Sequence, residues 1–124
     1  MHIKCIKHKG DMAMHTLESL IKQYASQYLE QVVAWRRHIH SHPELSGEEQ
    51  ETSLYIQKVL GELGIPYVND ISDYAVIGEI QGAHTGPVIA LRADIDALPI
   101  HEATGLPFAS QNERVMHACG HDSH

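Results

Sequence analysis

The stretch VIALRADIDALP, residues 88–99, carries the strongest fold signal in the chain. Its first four residues form a continuous apolar run, which is typical of a central strand buried on both faces. Asp94 and Asp96 follow at the carboxyl end of this run, where open α/β sheets bind their ligands. Their alternation places both on one side of an extended backbone. The stretch therefore predicts an inner strand that ends at a functional site, although a solvated exit from the strand is an equally good interpretation.

Two helices are predicted before this strand. Apolar residues recur at steps of three and four over residues 17–39, and Pro43 must end this helix because the residue before a proline avoids the α region. Ser46 and Glu49 match a capping box at the start of a second helix. Gly64 stands where a left-handed residue ends such a helix.

Three strand candidates follow the helices, over residues 65–68, 74–80 and 88–95. The order predicts an α/β fold in which two helices cover one face of a sheet of about three strands. A central strand also needs a layer on its other face, and no segment after residue 95 has the periodicity to supply it. The chain therefore reads as part of a larger domain.

The composition disfavours several classes of protein. The 124 residues include nine Lys and Arg against sixteen Asp and Glu, a net charge of −7, so no basic surface favours nucleic acid. No apolar run reaches the roughly 18 residues of a membrane span, and the opening residues lack the apolar core of a signal peptide. Two cysteines are too few for a disulfide framework. We therefore expect a cytoplasmic protein with neither a nucleic-acid nor a membrane partner.

Eleven histidines draw attention to metal binding, and three of them cluster at the end of the first helix. His38 and His40 point about 200° apart on a helix with ~3.6 residues per turn, so they cannot share one ion. His42 is expected to leave the helix before Pro43. This cluster is interpreted as structural or surface-exposed rather than as a metal site.

The last eight residues, HACGHDSH, are the stronger metal candidate, because imidazole and thiolate are ligands that zinc prefers. His117, Cys119 and His121 alternate, which places them on one side of an extended segment. Asp96 or Asp122 could support an imidazole by accepting its N–H. The spacing leaves open which residues bind the metal, and a buried structural cysteine or a terminal histidine run is the competing interpretation.

Together these motifs resemble the M20 metallopeptidase family, and more closely its amidohydrolase subfamily of hippurate hydrolases, N-acyl-amino acid amidohydrolases, N-acetyldiaminopimelate deacetylases and auxin-conjugate hydrolases. The resemblance rests on WRRHIHSHPEL at residues 35–45, ALRADIDALP at residues 90–99 and MHACGHDSH at residues 116–124. It implies a mixed-sheet, zinc-peptidase-like catalytic domain, of which residues 16–124 are the incomplete N-terminal part. Residues 1–15 are expected to be a poorly ordered extension, and the inserted dimerisation domain and C-terminal half to be absent.

The same resemblance assigns roles to particular residues. It implies that Cys119 and His121 are metal ligands, that Asp96 is a supporting residue that orients a ligand, and that His117 and His124 are not direct ligands. It also implies two divalent metal ions in a complete site, of zinc, manganese, cobalt or nickel. The general-base glutamate of the family has no counterpart among these residues.

The activity implied by the resemblance is metal-dependent hydrolysis of the amide bond of N-acyl amino acids, in proteins that can be homo-oligomers. Because the general base and several ligands have no counterpart, we expect the 124-residue chain to be a truncated fragment that is inactive alone. The alternative is a non-catalytic remnant that binds metal weakly or pairs with a complementary fragment. A redox role for the Cys119 thiol is a weaker third possibility.

Overall fold

The computed structural model describes residues 14–124, and the chain divides into two compact units, residues 1–35 and 36–124. Residues 1–13, most of the expected poorly ordered extension, lie outside the described residues. Helices α1 (Met14–Ser41) and α2 (Gln50–Leu63) precede strands β1 (Tyr67–Val68) and β2 (Ile77–Gly78), and a short 3₁₀ helix (His121–Ser123) comes last. The expected α/β class and the order of helices before strands are confirmed.

Helix α1 forms over the predicted periodic segment and ends at Ser41, two residues before Pro43. In the unit of residues 1–35 its apolar stripe stays largely exposed, including Ile21 and Val32. The described part of neither helix combines the length and the apolar character that a membrane span requires. The boundary between the two units falls inside this helix, and Arg36 begins the unit that contains the other elements.

Helix α2 begins differently from the prediction, because the Ser46–Glu49 capping box does not form. The helix starts after Glu49, which makes no capping bond to it, and the carboxylate of Glu44 takes that role instead. Glu44 accepts the backbone N–H of Glu51 at 3.0 Å and that of Thr52 at 2.7 Å. A carboxylate at this position satisfies two free N–H groups and also lies at the positive end of the helix dipole.

The end of α2 follows the prediction. Gly64 adopts a left-handed conformation with φ 69°, and Ile65 donates its backbone N–H back to Leu60 at 2.9 Å. The chain then turns into an antiparallel pair in which Tyr67 lies opposite Gly78 and Val68 opposite Ile77. These two short strands fall inside the first two predicted strand segments.

The third predicted strand, over residues 88–95, does not form among the described residues, so the sheet has two strands rather than about three. Val88 and Leu91 are 96% and 95% exposed. A central strand needs neighbours that bond its N–H and C=O groups and layers that cover both of its faces. The described residues provide neither for this segment.

Backbone hydrogen bonds resume at Ala97, a few residues after the exposed run. Ala97 donates its N–H to Glu44 at 2.7 Å, in a parallel bridge between Leu45 and Ala97. Leu98 and Met116 exchange N–H···O bonds of 3.0 Å each in an antiparallel bridge. These bonds hold the segment that contains Asp96 between Glu44, which precedes α2, and Met116, which precedes the last eight residues.

The buried centre of this unit is mainly polar. Among the described residues the buried apolar side chains are those of Pro43, Ala97 and Val115, while six polar residues are buried: His40, Ser41, Thr52, Ser53, His117 and Asp122. Buried polar groups are tolerated when they are hydrogen-bonded, so directional bonds position the elements of this unit.

Replacing the capping carboxylate should destabilise α2. We expect Glu44→Ala to lower the free energy of unfolding by about 1 kcal/mol, since two helix N–H groups lose their acceptor. Ser46→Ala is the matched control and should change it little, because the capping box is not formed. Urea unfolding followed by circular dichroism measures both variants, and a larger loss in Ser46→Ala would contradict the assignment.

The exposed apolar run should promote aggregation, because an unpaired apolar segment invites pairing with other chains. We expect Ile89→Lys to raise several-fold the protein concentration at which light scattering detects aggregates. Gln81→Lys adds the same charge at an exposed position outside the run and should have a much smaller effect. Equal improvement in both variants would show that net charge, and not the run, controls association.

Candidate metal centre

Asp96 and His121 form the central pair of the candidate site. Asp96 lies directly before the bridge at Ala97, and His121 begins the 3₁₀ helix. The Nδ1 atom of His121 lies 2.7 Å from Oδ1 of Asp96 and 3.1 Å from its backbone oxygen. Both acceptors favour a proton on Nδ1, which leaves the Nε2 lone pair of His121 available to a ligand. This is the arrangement that carboxylates give to metal-binding histidines.

Gly120 makes the bend between the two predicted ligands. Its φ of 91° lies in the left-handed region that favours glycine, and its carbonyl accepts the N–H of Ser123 at 2.9 Å. Cys119, on one side of this bend, has an exposed free thiol. His121, on the other side, is oriented by Asp96.

The Asp96–His121 pair lies in a cleft of about 730 Å³ in the unit of residues 36–124. Asp94 also lines this cleft, as the alternation of the two aspartates predicted. Asp94 accepts a hydrogen bond of 2.6 Å from Arg92, so part of its negative charge is balanced locally. The cleft is wide enough for a small organic molecule.

The donors present fit a divalent transition metal only in part. Cys119 offers a thiolate and His121 an imidazole nitrogen, and both are ligand types that zinc accepts. In the part of the chain that the structure describes, no group of three or more His, Cys, Asp or Glu side chains is placed to hold an ion. The predicted ligands among the described residues therefore number two, whereas catalytic zinc sites use about three plus water.

The three alternating residues differ in exposure, which the alternation prediction did not anticipate. Cys119 is exposed, whereas His117 is buried and neither of its ring nitrogens has a hydrogen-bond partner in the described structure. The premise of an extended segment does not hold, because Ala118 donates its N–H to Met116 at 2.9 Å and Gly120 is left-handed.

Burial is also the main reason that the pKa of His117 lies below its usual value. Asp122 opposes this shift, while His40 and His121 reinforce it and Asp96 opposes it. A neutral imidazole is the form that a buried, unpartnered position favours.

A buried network next to the candidate site was not foreseen from the sequence. His40 Nδ1 lies 2.9 Å from Oδ2 of Asp122, and His40 Nε2 lies 3.2 Å from Oε1 of Glu102. Arg36 donates from Nε to the same Asp122 oxygen at 3.0 Å. The side chains of His40, Asp122 and Glu102 are only 5%, 1% and 3% exposed. Of the two expected roles for His40, structural or surface-exposed, the structure shows the first: a buried link between two carboxylates.

The environment of Glu102 favours its charged form. Burial by itself would raise the pKa of this carboxyl, but hydrogen bonds from the Thr104 hydroxyl, the Ser110 N–H and His40 outweigh burial and hold the pKa below its usual value. An ionised carboxylate only accepts hydrogen bonds, so His40 donates to Glu102 and Asp122 together when both of its nitrogens carry protons.

One part of this network had a signal in the sequence. Arg36 and His40 are four residues apart on α1 and therefore share a helix face, so both can reach one partner. His38 points elsewhere, as predicted, and its ring stacks on Tyr55 at 3.9 Å between centroids. His42 lies past the helix end, yet its ring stacks on that of His38 at 4.4 Å. No local pattern identified Glu102 as a partner.

Comparison with known proteins agrees with these motifs. Residues 90–124 match the model of peptidase family M20/M25/M40. The crystal structure of YXEP from Bacillus subtilis, described as a dinuclear metal-binding peptidase of the M20 family, superposes with a TM-score of 0.76 and 49% identity. That similarity covers 80% of this chain and 28% of YXEP.

The curated relatives show the same class. An N-acetyl-L-cysteine deacetylase of Bacillus subtilis is 54% identical over 94 residues, which are 76% of this chain and 23% of the relative. An N-acyl-L-amino acid amidohydrolase of Geobacillus stearothermophilus is 43% identical over 104 residues, which are 84% of this chain and 28% of the relative. The chain thus spans about a quarter of the length of these relatives.

The resemblance to the M20 family is therefore confirmed, and the chain is related to a class of metal-binding hydrolases. Within that class, the relatives that it matches include amidohydrolases and deacetylases.

The Asp96–His121 pair makes a prediction that needs no metal. We expect the neutral His121 ring to carry its proton on Nδ1, and Asp96→Ala to raise the share of the Nε2 tautomer in part, because Nδ1 loses its carboxylate acceptor and keeps only the backbone oxygen. Long-range ¹H–¹⁵N NMR spectra distinguish the two tautomers. Asp94→Ala is the control, since Asp94 pairs with Arg92 and should leave the tautomer unchanged. An unaltered spectrum in Asp96→Ala would contradict the assigned bond.

Proposed function

We propose that this chain carries part of the metal centre of an amidohydrolase that cleaves N-acyl amino acids, with Cys119 and His121 as metal ligands. The observation that carries the proposal is the 2.7 Å contact between Asp96 and His121, which orients the histidine for metal binding within the cleft. The names of the relatives support the substrate class, because they act on N-acetyl-L-cysteine and on N-acyl-L-amino acids.

In this proposal each residue has a separate task. Asp96 holds the Nδ1 proton of His121, so that Nε2 faces outward with its lone pair. Cys119 contributes a thiolate beside the bend at Gly120. A bound pair of divalent metals would polarise the amide carbonyl and activate water for attack. The overall reaction consumes one water and yields a carboxylic acid and an amino acid.

We further propose that these 124 residues do not turn over substrate on their own. Cys119 and His121 supply two ligands, and the described residues place no third one beside them. The coverage of about a quarter of each relative supports the view that residues 16–124 form part of a larger catalytic domain. The remaining ligands and the base that takes a proton from water would then lie elsewhere in that domain.

Metal binding by the chain tests the ligand assignment. We expect Co(II) to produce a near-ultraviolet thiolate-to-metal absorption band that is lost in Cys119→Ser and His121→Ala. Cys5→Ser is the matched control, because it removes the other cysteine of the chain and should keep the band. Absence of a band in the unmodified chain, or its loss in Cys5→Ser alone, would refute the ligand pair.

Turnover is measured in the same preparations as release of free amino acid from hippurate or N-acetylcysteine with added Mn(II), Co(II) or Zn(II). We expect no release above the rate with metal alone. Release that disappears in Cys119→Ala would show that the chain is active by itself.

A second candidate is a non-catalytic role in which the chain pairs with a complementary fragment. The exposed run at Val88 and Leu91 favours it, since this segment has free backbone groups and uncovered apolar side chains. In that case Ile89→Lys should abolish association with a co-expressed fragment of a relative that lacks the matching quarter. Unchanged association in that variant would reject this role for the run.

A further inference from the structure

The carboxylate of Asp122, which directly follows the proposed ligand His121 in sequence, is almost completely buried. Its side chain is 1% exposed, and its Oδ2 atom is within hydrogen-bond distance of both His40 and Arg36. Neither partner lies in the cleft with Asp96, and neither has a part in the proposed metal binding. The metal hypothesis therefore leaves this buried cluster without a function.

We propose that Asp122 and His40 are positioning residues, which fix the turn of residues 119–122 so that Cys119 and His121 can bind one metal together. The inference rests on the proposed function, because it concerns the same ligand pair. Neither residue contacts the metal in this proposal. Their effect passes through the backbone of the 3₁₀ helix, which includes both His121 and Asp122.

The physical basis is the cost of burying a carboxylate. A buried charge that loses its partners destabilises its surroundings strongly, so the turn can keep its position only while Asp122 reaches His40 and Arg36. The bend itself offers little resistance, since Gly120 is the most flexible residue type and the 3₁₀ helix is only three residues long. The anchor must therefore come from the Asp122 side chain.

His40 is the more important of the two anchors. Its side chain is 5% exposed, whereas that of Arg36 is 46% exposed, so water weakens the Arg36 bond without replacing it. His40 is itself held from the other side, because Nε2 lies 3.2 Å from Glu102. A series of hydrogen bonds from Glu102 through His40 to Asp122 thus connects the segment that contains Glu102 with the turn of residues 119–122.

Two substitutions at His40 separate positioning from simple burial. The side-chain amide of asparagine lies where Nδ1 of histidine lies and can still donate to Asp122, whereas the longer glutamine places its amide near the position of Nε2, facing Glu102. Both are neutral, polar and smaller than or similar to histidine. A general loss of packing affects both variants alike, while a positioning role distinguishes them.

The experiment is a Co(II) titration of the complete 124-residue chain, followed by the thiolate band, with far-ultraviolet circular dichroism as the folding control. We expect His40→Asn to bind Co(II) within about threefold of the unmodified chain, and His40→Gln to bind at least about tenfold more weakly, the effect usual for residues that orient metal ligands. If both His40 variants lose their helical signal, Arg36→Met serves instead, and we expect a severalfold weaker affinity.

The outcomes separate the two proposals. Equal Co(II) affinities in His40→Asn and His40→Gln, whether unchanged or weakened, overturn the positioning role while leaving Cys119 and His121 as ligands. Unchanged affinity in Arg36→Met, where both His40 variants are unfolded, also overturns it. The absence of any thiolate band in the unmodified chain refutes the proposed function, and the positioning role with it.

Discussion

One buried carboxylate oxygen connects the two ends of the unit formed by residues 36–124. Oδ2 of Asp122 is within hydrogen-bond distance of His40, at the end of α1, and of Arg36, one helical turn earlier. Because this carboxylate is almost fully removed from water, the bonds to His40 and Arg36 replace its hydration. Moving the last residues away from α1 would break these bonds and leave the carboxylate without hydrogen-bond donors. The last residues of the chain are therefore held against the end of a helix that precedes them by about eighty residues.

The same constraint explains why this unit keeps a defined site with a small apolar core. The buried apolar side chains of the described residues are those of Pro43, Ala97 and Val115, and the apolar area that they bury is too small to position a cleft by itself. Directional bonds replace them: bridges at Ala97 and Leu98 hold the segment of Asp96, and Asp122 holds the turn of His121. Hydrogen bonds therefore hold the segments of both Asp96 and His121, the pair that lines the cleft. The geometry of hydrogen bonds is more specific than that of apolar contacts.

The candidate site was predictable only in part. The motif around residue 121 indicated the proposed ligands, and the alternation after the apolar run placed Asp94 and Asp96 at one cleft. The alternation argument for residues 117, 119 and 121 assumes an extended backbone, and the left-handed Gly120 breaks that assumption. The capping-box prediction was also wrong. The carboxylate of Glu44, which lies outside that local motif, accepts the free N–H groups at the start of α2.

The sequence by itself determined the features that depend on near neighbours. Helical periodicity, the proline after α1 and the glycine after α2 act within a few residues, so the existence of both helices and their C-terminal ends followed from local rules. The tertiary structure alone decided which distant groups meet. His40 and Asp122 are 82 residues apart, and the apolar run at residues 88–91 becomes a strand only if other strands lie beside it. Pairing and burial require a partner in space, and no periodicity in a single segment specifies that partner.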